Sequence, residues 1–181
     1  MSPASDAAPT AADLLARFVR DVPDFPSAGV MFKDIAPLLA DGPAFGAVVG
    51  DLADRYRGTV DAVVGIEARG FMLAAPVAVT LGVGFVPVRK AGKLPGPVWA
   101  AEYALEYGTA EIEVQQDAFG AGRRVLVLDD VLATGGTAEA TCELVERAGA
   151  EVVELAVLLE LAFLSGRDKL PGRPVHALLT V

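Results

Sequence analysis

The hydrophobic positions change period several times along the chain, and each change marks an element. Leu14, Leu15, Phe18 and Val19 recur at helical spacing. Thr10 and Asp13 ahead of them have the spacing of a capping box, which predicts a helix that stops before Pro23. Residues 24–42 combine Pro26, Pro37, Gly29 and Gly42 with isolated apolar positions and read as an extended or looped segment. Asp41 then caps a helix through Phe45, Val48, Val49, Leu52 and Tyr56.

From there the pattern alternates. Residues 60–66 predict an apolar strand, 70–81 an apolar helix ending at Gly82, and 85–89 a second strand. The Gly- and Pro-rich stretch 90–101 predicts a mobile loop, and 103–107 with 111–115 a hairpin around Gly108 and Thr109. Strands at 124–128, 152–159 and 175–179 and a helix at 134–148 complete the chain. Short, continuously apolar strands separated by helices predict a parallel sheet covered on both faces. The expected fold class is α/β and doubly wound, one domain over 1–181. Residues 1–9 are expected to be disordered, about 22–40 and 90–115 to be additions to the sheet, and no internal repeat is present.

Composition narrows the chemistry. A net charge of −9 makes the surface a poor match for nucleic acid or anionic lipid, so no such partner is expected and an anionic ligand needs a local device. One histidine, His176, excludes multi-His zinc sites, and one cysteine, Cys142, excludes an internal disulfide. Both read as structural. Residues 1–13 lack the basic start and apolar run of a signal peptide. The apolar run 152–164 is short and carries Glu154 and Glu160, so no membrane span and a cytoplasmic setting are expected.

The most informative stretch is 125–145. Four apolar residues run into Asp129 and Asp130, and a spacer leads to Ala133-Thr134-Gly135-Gly136-Thr137 and a helix. Glycines let the backbone turn its N–H groups inward, and a helix N-terminus adds unpaired donors and a positive dipole end. Together they make a monophosphate cradle without a lysine. The two acids stand where ribose hydroxyls would follow the phosphate. The same spacing also fits a plain strand–turn–helix whose acids only cap the helix.

This stretch resembles the phosphoribosyl pyrophosphate (PRPP) motif of type I phosphoribosyltransferases. Further segments are similar to the adenine phosphoribosyltransferases: Asp24-Phe25-Pro26 with residues 29–35 to their hood, 65–71 to their pyrophosphate loop, and 88–90 with 92–96 to their strand and flexible loop. Leu105-Glu106-Tyr107-Gly108 resembles the acidic segment of that loop, and 159–161 with Gly166-Arg167 the C-terminal end. The resemblance spans residues 12–180 and implies transfer of a 5-phosphoribosyl group from PRPP to adenine, giving AMP and pyrophosphate in purine salvage. It implies that residues 133–137 bind the 5′-phosphate and Asp129 and Asp130 the ribose. Arg69, Arg89, Lys90 and Lys93 would bind pyrophosphate, with Arg69 also catalytic. Val30, Phe32 and Lys33 would bind adenine, Glu106 would serve in acid–base catalysis, and Tyr107 would be part of a lid. Mg²⁺ would arrive with PRPP rather than in an all-protein site, touching Asp129 at most through water. A homodimer is implied too. A PRPP-sensing regulator and a transferase for a 6-oxo purine stay open, the latter with Lys33 as the position to watch.

Overall fold

The computed structural model describes residues 8–104 and 109–181. Helix α1 (Ala11–Phe18) opens with the expected capping box: the Asp13 N–H donates to the Thr10 hydroxyl, and the Thr10 N–H returns to the Asp13 carboxylate. Such a cap contributes about 1 kcal/mol. Strands β1 (Arg20–Pro23) and β2 (Met31–Asp34) pair as an antiparallel hairpin, and a short helix α2 (Ala36–Ala40) follows. The extended reading of 24–42 therefore holds for β2 and misses α2, whose single turn is too short to show a period. Cross-strand pairs of Arg20 with Asp34 at 2.6 Å and Lys33 with Asp21 at 2.7 Å reinforce the hairpin register.

Helix α3 (Gly42–Tyr56) starts on the Asp41 carboxylate, which accepts from the Ala44 N–H. The sheet elements then alternate: β3 (Ala62–Ile66), α4 (Arg69–Leu81), β4 (Gly84–Lys90), β5 (Val98–Ala104), β6 (Thr109–Gln115), β7 (Arg124–Leu132), α5 (Gly136–Arg147), β8 (Glu151–Glu160) and β9 (Val175–Thr180). Two 3-10 turns, Ala162–Leu164 and Gly166–Lys169, lie between β8 and β9. Two expectations need correction. The loop expected over 90–101 gives way to strand at Val98, because β5 pairs with β6 from Val98 against Gln115 onward. Strand β7 runs on to Leu132, so Asp129 and Asp130 belong to the strand rather than follow it. Pairing with β8 as far as Leu132 opposite Glu160 holds that polar end in the sheet. The disorder expected for 1–9 falls mostly on residues 1–7, which lie outside the described residues.

The seven strands are ordered β5-β6-β4-β3-β7-β8-β9, with β4, β3, β7, β8 and β9 parallel and the β5–β6 hairpin antiparallel at one edge. Side chains alternate across the sheet. Val63, Leu126 and Leu128 pack under α1–α4, whereas Val64, Val125 and Val127 pack under α5, where Cys142 and Leu144 are buried. Covered on both faces, these strands have no polar alternation. Among the described residues no helix is long and apolar enough to cross a membrane.

Candidate active site

In an open parallel sheet, ligands bind beyond the carboxyl ends of the strands where the strand order reverses. Here β3 comes first in sequence among the parallel strands, with β4 on one side and β7 on the other. The switch point therefore lies between the end of β3, which leads to Glu67-Ala68-Arg69, and the end of β7, which carries Asp129 and Asp130. Two segments 60 residues apart in sequence meet there for a topological reason. Gly70 permits the meeting: a Cβ on it would lie 2.7 Å from the Leu128 carbonyl oxygen and 3.1 Å from an Asp129 carboxylate oxygen.

Beyond β7, residues 133–137 wrap a cavity of about 80 Å³ whose wall also includes Asp129, Leu155 and Val157. Gly135 is the N-cap of α5 at φ +83°, a left-handed conformation that glycine adopts without strain. The amides of the following turn are helical N-terminal donors, so the cavity suits one small anion.

The acids beside it are electrostatically loaded. Burial pushes the Asp129 carboxyl well above the usual carboxylate range, and the Asp130 charge pushes it further. Burial also raises Asp130, partly offset by the Arg69 guanidinium. Arg69 Nε lies 2.9 Å from Asp130 Oδ2, an ion pair rather than an aligned hydrogen bond, and Asp130 Oδ2 and Arg69 Nη1 are buried without a hydrogen bond among the described residues. The same guanidinium lies over the Phe32 ring at 4.9 Å, so one cation joins the β1–β2 hairpin to the end of β7. Phe32 in turn meets Phe25 edge-to-face at 5.0 Å.

Arg89 is held differently. Its Nε and Nη2 donate to the Glu67 carboxylate at 3.2 and 3.4 Å, and the Lys90 N–H donates to the same group at 2.9 Å. Partial burial works to raise the Glu67 carboxyl, but these donors outweigh it and hold it below the usual range. Arg89 Nη1 also donates to the Lys93 carbonyl, and the buried Glu113 carboxylate accepts from the Gly92 N–H at 3.0 Å. The turn bearing the exposed Lys90 and Lys93 is thus tied at its root by two acids.

Comparison with known proteins decides what this arrangement belongs to. The family model described as phosphoribosyl transferase domain matches residues 38–170. The chain is 65% identical over 172 residues to the adenine phosphoribosyltransferase of Salinispora tropica, covering 94% of this chain and 91% of that one. The chain belongs to the adenine phosphoribosyltransferase family. The crystal structure of the Rhodothermus marinus adenine phosphoribosyltransferase superposes with a TM-score of 0.89 at 50% identity, covering 94% of this chain and 98% of that one. That of the Saccharomyces cerevisiae enzyme, complexed with an imino-altritol bisphosphate and adenine, does so with a TM-score of 0.88 at 41% identity over 93% and 98% of the two chains.

In this phosphoribosyltransferase the fold brings Arg69, Asp129, Asp130, Phe32 and the 133–137 loop to one place. Val30 is exposed on the same hairpin. Lys33 is not delivered beside Phe32. Neighbouring residues of a strand face opposite sides, and the Lys33 amine is bonded to Asp21 instead. Glu106 and Tyr107 lie outside the described residues. Their flanking strands are informative, because β6 pairs antiparallel to β4 with Arg89 opposite Glu113 and Lys90 opposite Ile112. Thr109 and Ala104 therefore sit toward the carboxyl end of the parallel strands, the end that carries the site. Two anchors went unread in the sequence: Glu67 as the holder of Arg89, and Glu113 as the holder of Gly92. The motif that contains Glu67 was visible, but nothing local says which arginine a carboxylate will meet.

Proposed function

We propose that this chain transfers the 5-phosphoribosyl group from PRPP to adenine, forming AMP and pyrophosphate in purine salvage. The observation that carries the reading is the junction of the cavity wrapped by residues 133–137, a pair of strand-end carboxylates and Arg69 at the switch point of the sheet. The 5′-phosphate is received by Ala133, Thr134, Gly135, Gly136 and Thr137, and the ribose hydroxyls donate to Asp129 and Asp130. The pyrophosphate lies against the loop of Arg69, with Arg89, Lys90 and Lys93 adding positive charge. Adenine is covered by Phe32 and Val30, and the backbone through Lys33 reads its edge.

In the reaction, the bond from the anomeric carbon to pyrophosphate breaks and its electron pair leaves with pyrophosphate. An imidazole nitrogen of adenine forms the new bond to that carbon, and its proton passes to the Glu106 carboxylate. The ring carries positive charge between these events, so catalysis consists chiefly of positioning and charge stabilisation. When Arg69 turns from Asp130 to the pyrophosphate, it releases the carboxylate to the ribose and meets the departing charge. Mg²⁺ would arrive with PRPP, where the hard carboxylate oxygens of the Asp129–Asp130 pair suit it, and it would supply neutralising charge on the pyrophosphate. Asp129 would touch it through water.

The test is AMP formation from adenine and PRPP in the presence of hypoxanthine, guanine and xanthine as competitors. Adenine is expected to be consumed first. Faster use of a 6-oxo purine would overturn the base assignment, and PRPP binding with no pyrophosphate released would make the protein a sensor.

A second copy of the chain completes the proposed assembly. Helix α4 has no charged side chain after Arg69, yet Val79 is 81% exposed and Met72 42% exposed on its outer face. A helix apolar on all sides needs cover on all sides. The cover proposed is the same helix of a partner. Val79→Glu is expected to convert a sedimenting dimer to monomers; a wild-type protein that sediments as a monomer at micromolar concentration removes the dimer. A reducing cytoplasm suits Cys142, whose thiol is pushed by burial up to about 12 and so stays protonated.

A further inference from the structure

The anion cavity is shaped from outside by a turn that the reaction does not use. Gly166 lies directly against the phosphate loop: a Cβ on Gly166 would collide with the Ala133 carbonyl oxygen, and a Cβ on Gly135 with the Gly166 carbonyl oxygen. What keeps that turn in place is Arg167. Its Nε donates to Glu160 Oε1 at 2.6 Å, its Nη2 to Glu160 Oε2 at 2.7 Å, and its Nη1 to the Val175 carbonyl at 2.9 Å. Glu160 ends β8, is 7% exposed, and lies opposite Leu132, the last residue before the phosphate loop. The Leu161 N–H donates to the Leu132 carbonyl at 3.0 Å. One strand end therefore holds both the root of the phosphate loop and the turn that packs on its tip.

The Arg167 side chain is 46% exposed, and an ion pair with one partner in solvent adds little net stability, because water screens it and ordering the side chains costs entropy. Its planar two-bond fork is a strong source of geometry, fixing orientation and distance together. We propose that Glu160 and Arg167 are positioning residues for the 5′-phosphate: they hold Gly166 against Gly135 and thereby hold the amides of the 133–137 loop where the phosphate meets them. The inference rests on the proposed function and adds the residues that set its phosphate affinity.

The test compares AMP with pyrophosphate, since pyrophosphate binds at the Arg69 loop rather than in the cavity. Arg167→Lys keeps the charge and loses the fork. It is expected to raise the Kd for AMP and the KM for PRPP by about tenfold, leaving kcat and the Kd for pyrophosphate within about twofold. Glu160→Gln is expected to do the same and serves if the first variant does not fold. A purely structural role would lower the melting temperature and leave the AMP affinity of the folded protein unchanged. Unchanged AMP affinity in folded variants, or a parallel loss of pyrophosphate affinity, overturns the proposal. Wild-type protein that binds AMP but forms none overturns the transferase reading instead, and leaves this comparison intact.

Discussion

Glu106→Ala is expected to lower kcat by ~10²–10⁴-fold while the KM values for PRPP and adenine stay close to those of the wild type. The argument begins with what the reaction lacks. The chain has one histidine, and His176 sits half-buried on β9 with burial holding its pKa below the usual value, on an edge strand separated from β3 by β7 and β8. In the proposed mechanism the proton of the attacking base passes to a carboxylate. Asp130 is ion-paired with Arg69, and Glu67 and Glu113 accept from Arg89 and from the Gly92 N–H. The resemblance of Leu105-Glu106-Tyr107-Gly108 to the acidic loop segment of the family assigns the proton-accepting role to Glu106, and the described strands β5 and β6 run toward the carboxyl end of the parallel strands, where the candidate site lies. A group that acts only as the bond forms affects kcat and spares binding. Steady-state kinetics of the variant checks this, and wild-type turnover would remove Glu106 from the mechanism.

Arg69→Ala is expected to lower kcat/KM by ~10²–10³-fold, the scale of removing one preorganised donor from developing negative charge. Two further consequences set it apart from a simple loss of binding. The guanidinium offsets the burial of Asp130, so its removal sends that carboxyl further upward. A carboxyl whose native pKa lies above its unfolded value contributes stability below the unfolded pKa, and that contribution is lost as pH rises through the native one. The variant should therefore lose thermal stability as pH rises from the ordinary carboxylate range up to the raised Asp130 pKa, with the loss complete above it. Its residual activity should decline at a higher pH on the acid side than that of the wild type, because a protonated Asp130 accepts fewer ribose hydroxyls. Arg69 also stacks on Phe32, so Arg69→Lys should recover charge but not the planar contact. pH profiles of kcat/KM and of the melting temperature check all three; coincident profiles for variant and wild type would refute the coupling.

Both predictions rest on residues that the sequence itself marks as candidates, and much of the fold is legible in the same way. The capping box at Thr10 and Asp13, the Asp41 cap and the left-handed Gly82 stop of α4 are local devices, decided by residues within a few positions of each other. Continuously apolar strands imply burial on both faces, which in a chain of alternating helices implies a parallel sheet. The phosphate loop is legible for a related reason: its ligand groups are backbone amides of one contiguous segment.

What the sequence determined by itself is thus whatever is local or strictly periodic: most of the elements though not the single turn of α2 or the start of β5, the fold class, and the 133–137 loop with its adjacent acids. Partner choice across distance was decided by tertiary structure alone. Arg69 meets Asp130 and Phe32 rather than Glu67, and Glu67 takes Arg89 instead. Lys33 turns to Asp21, and Arg167 grips Glu160 beneath the phosphate loop. The physical reason is that a charged side chain is satisfied by any opposite charge the fold brings within reach. The order of strands in the sheet, which no single segment encodes, decides which one arrives.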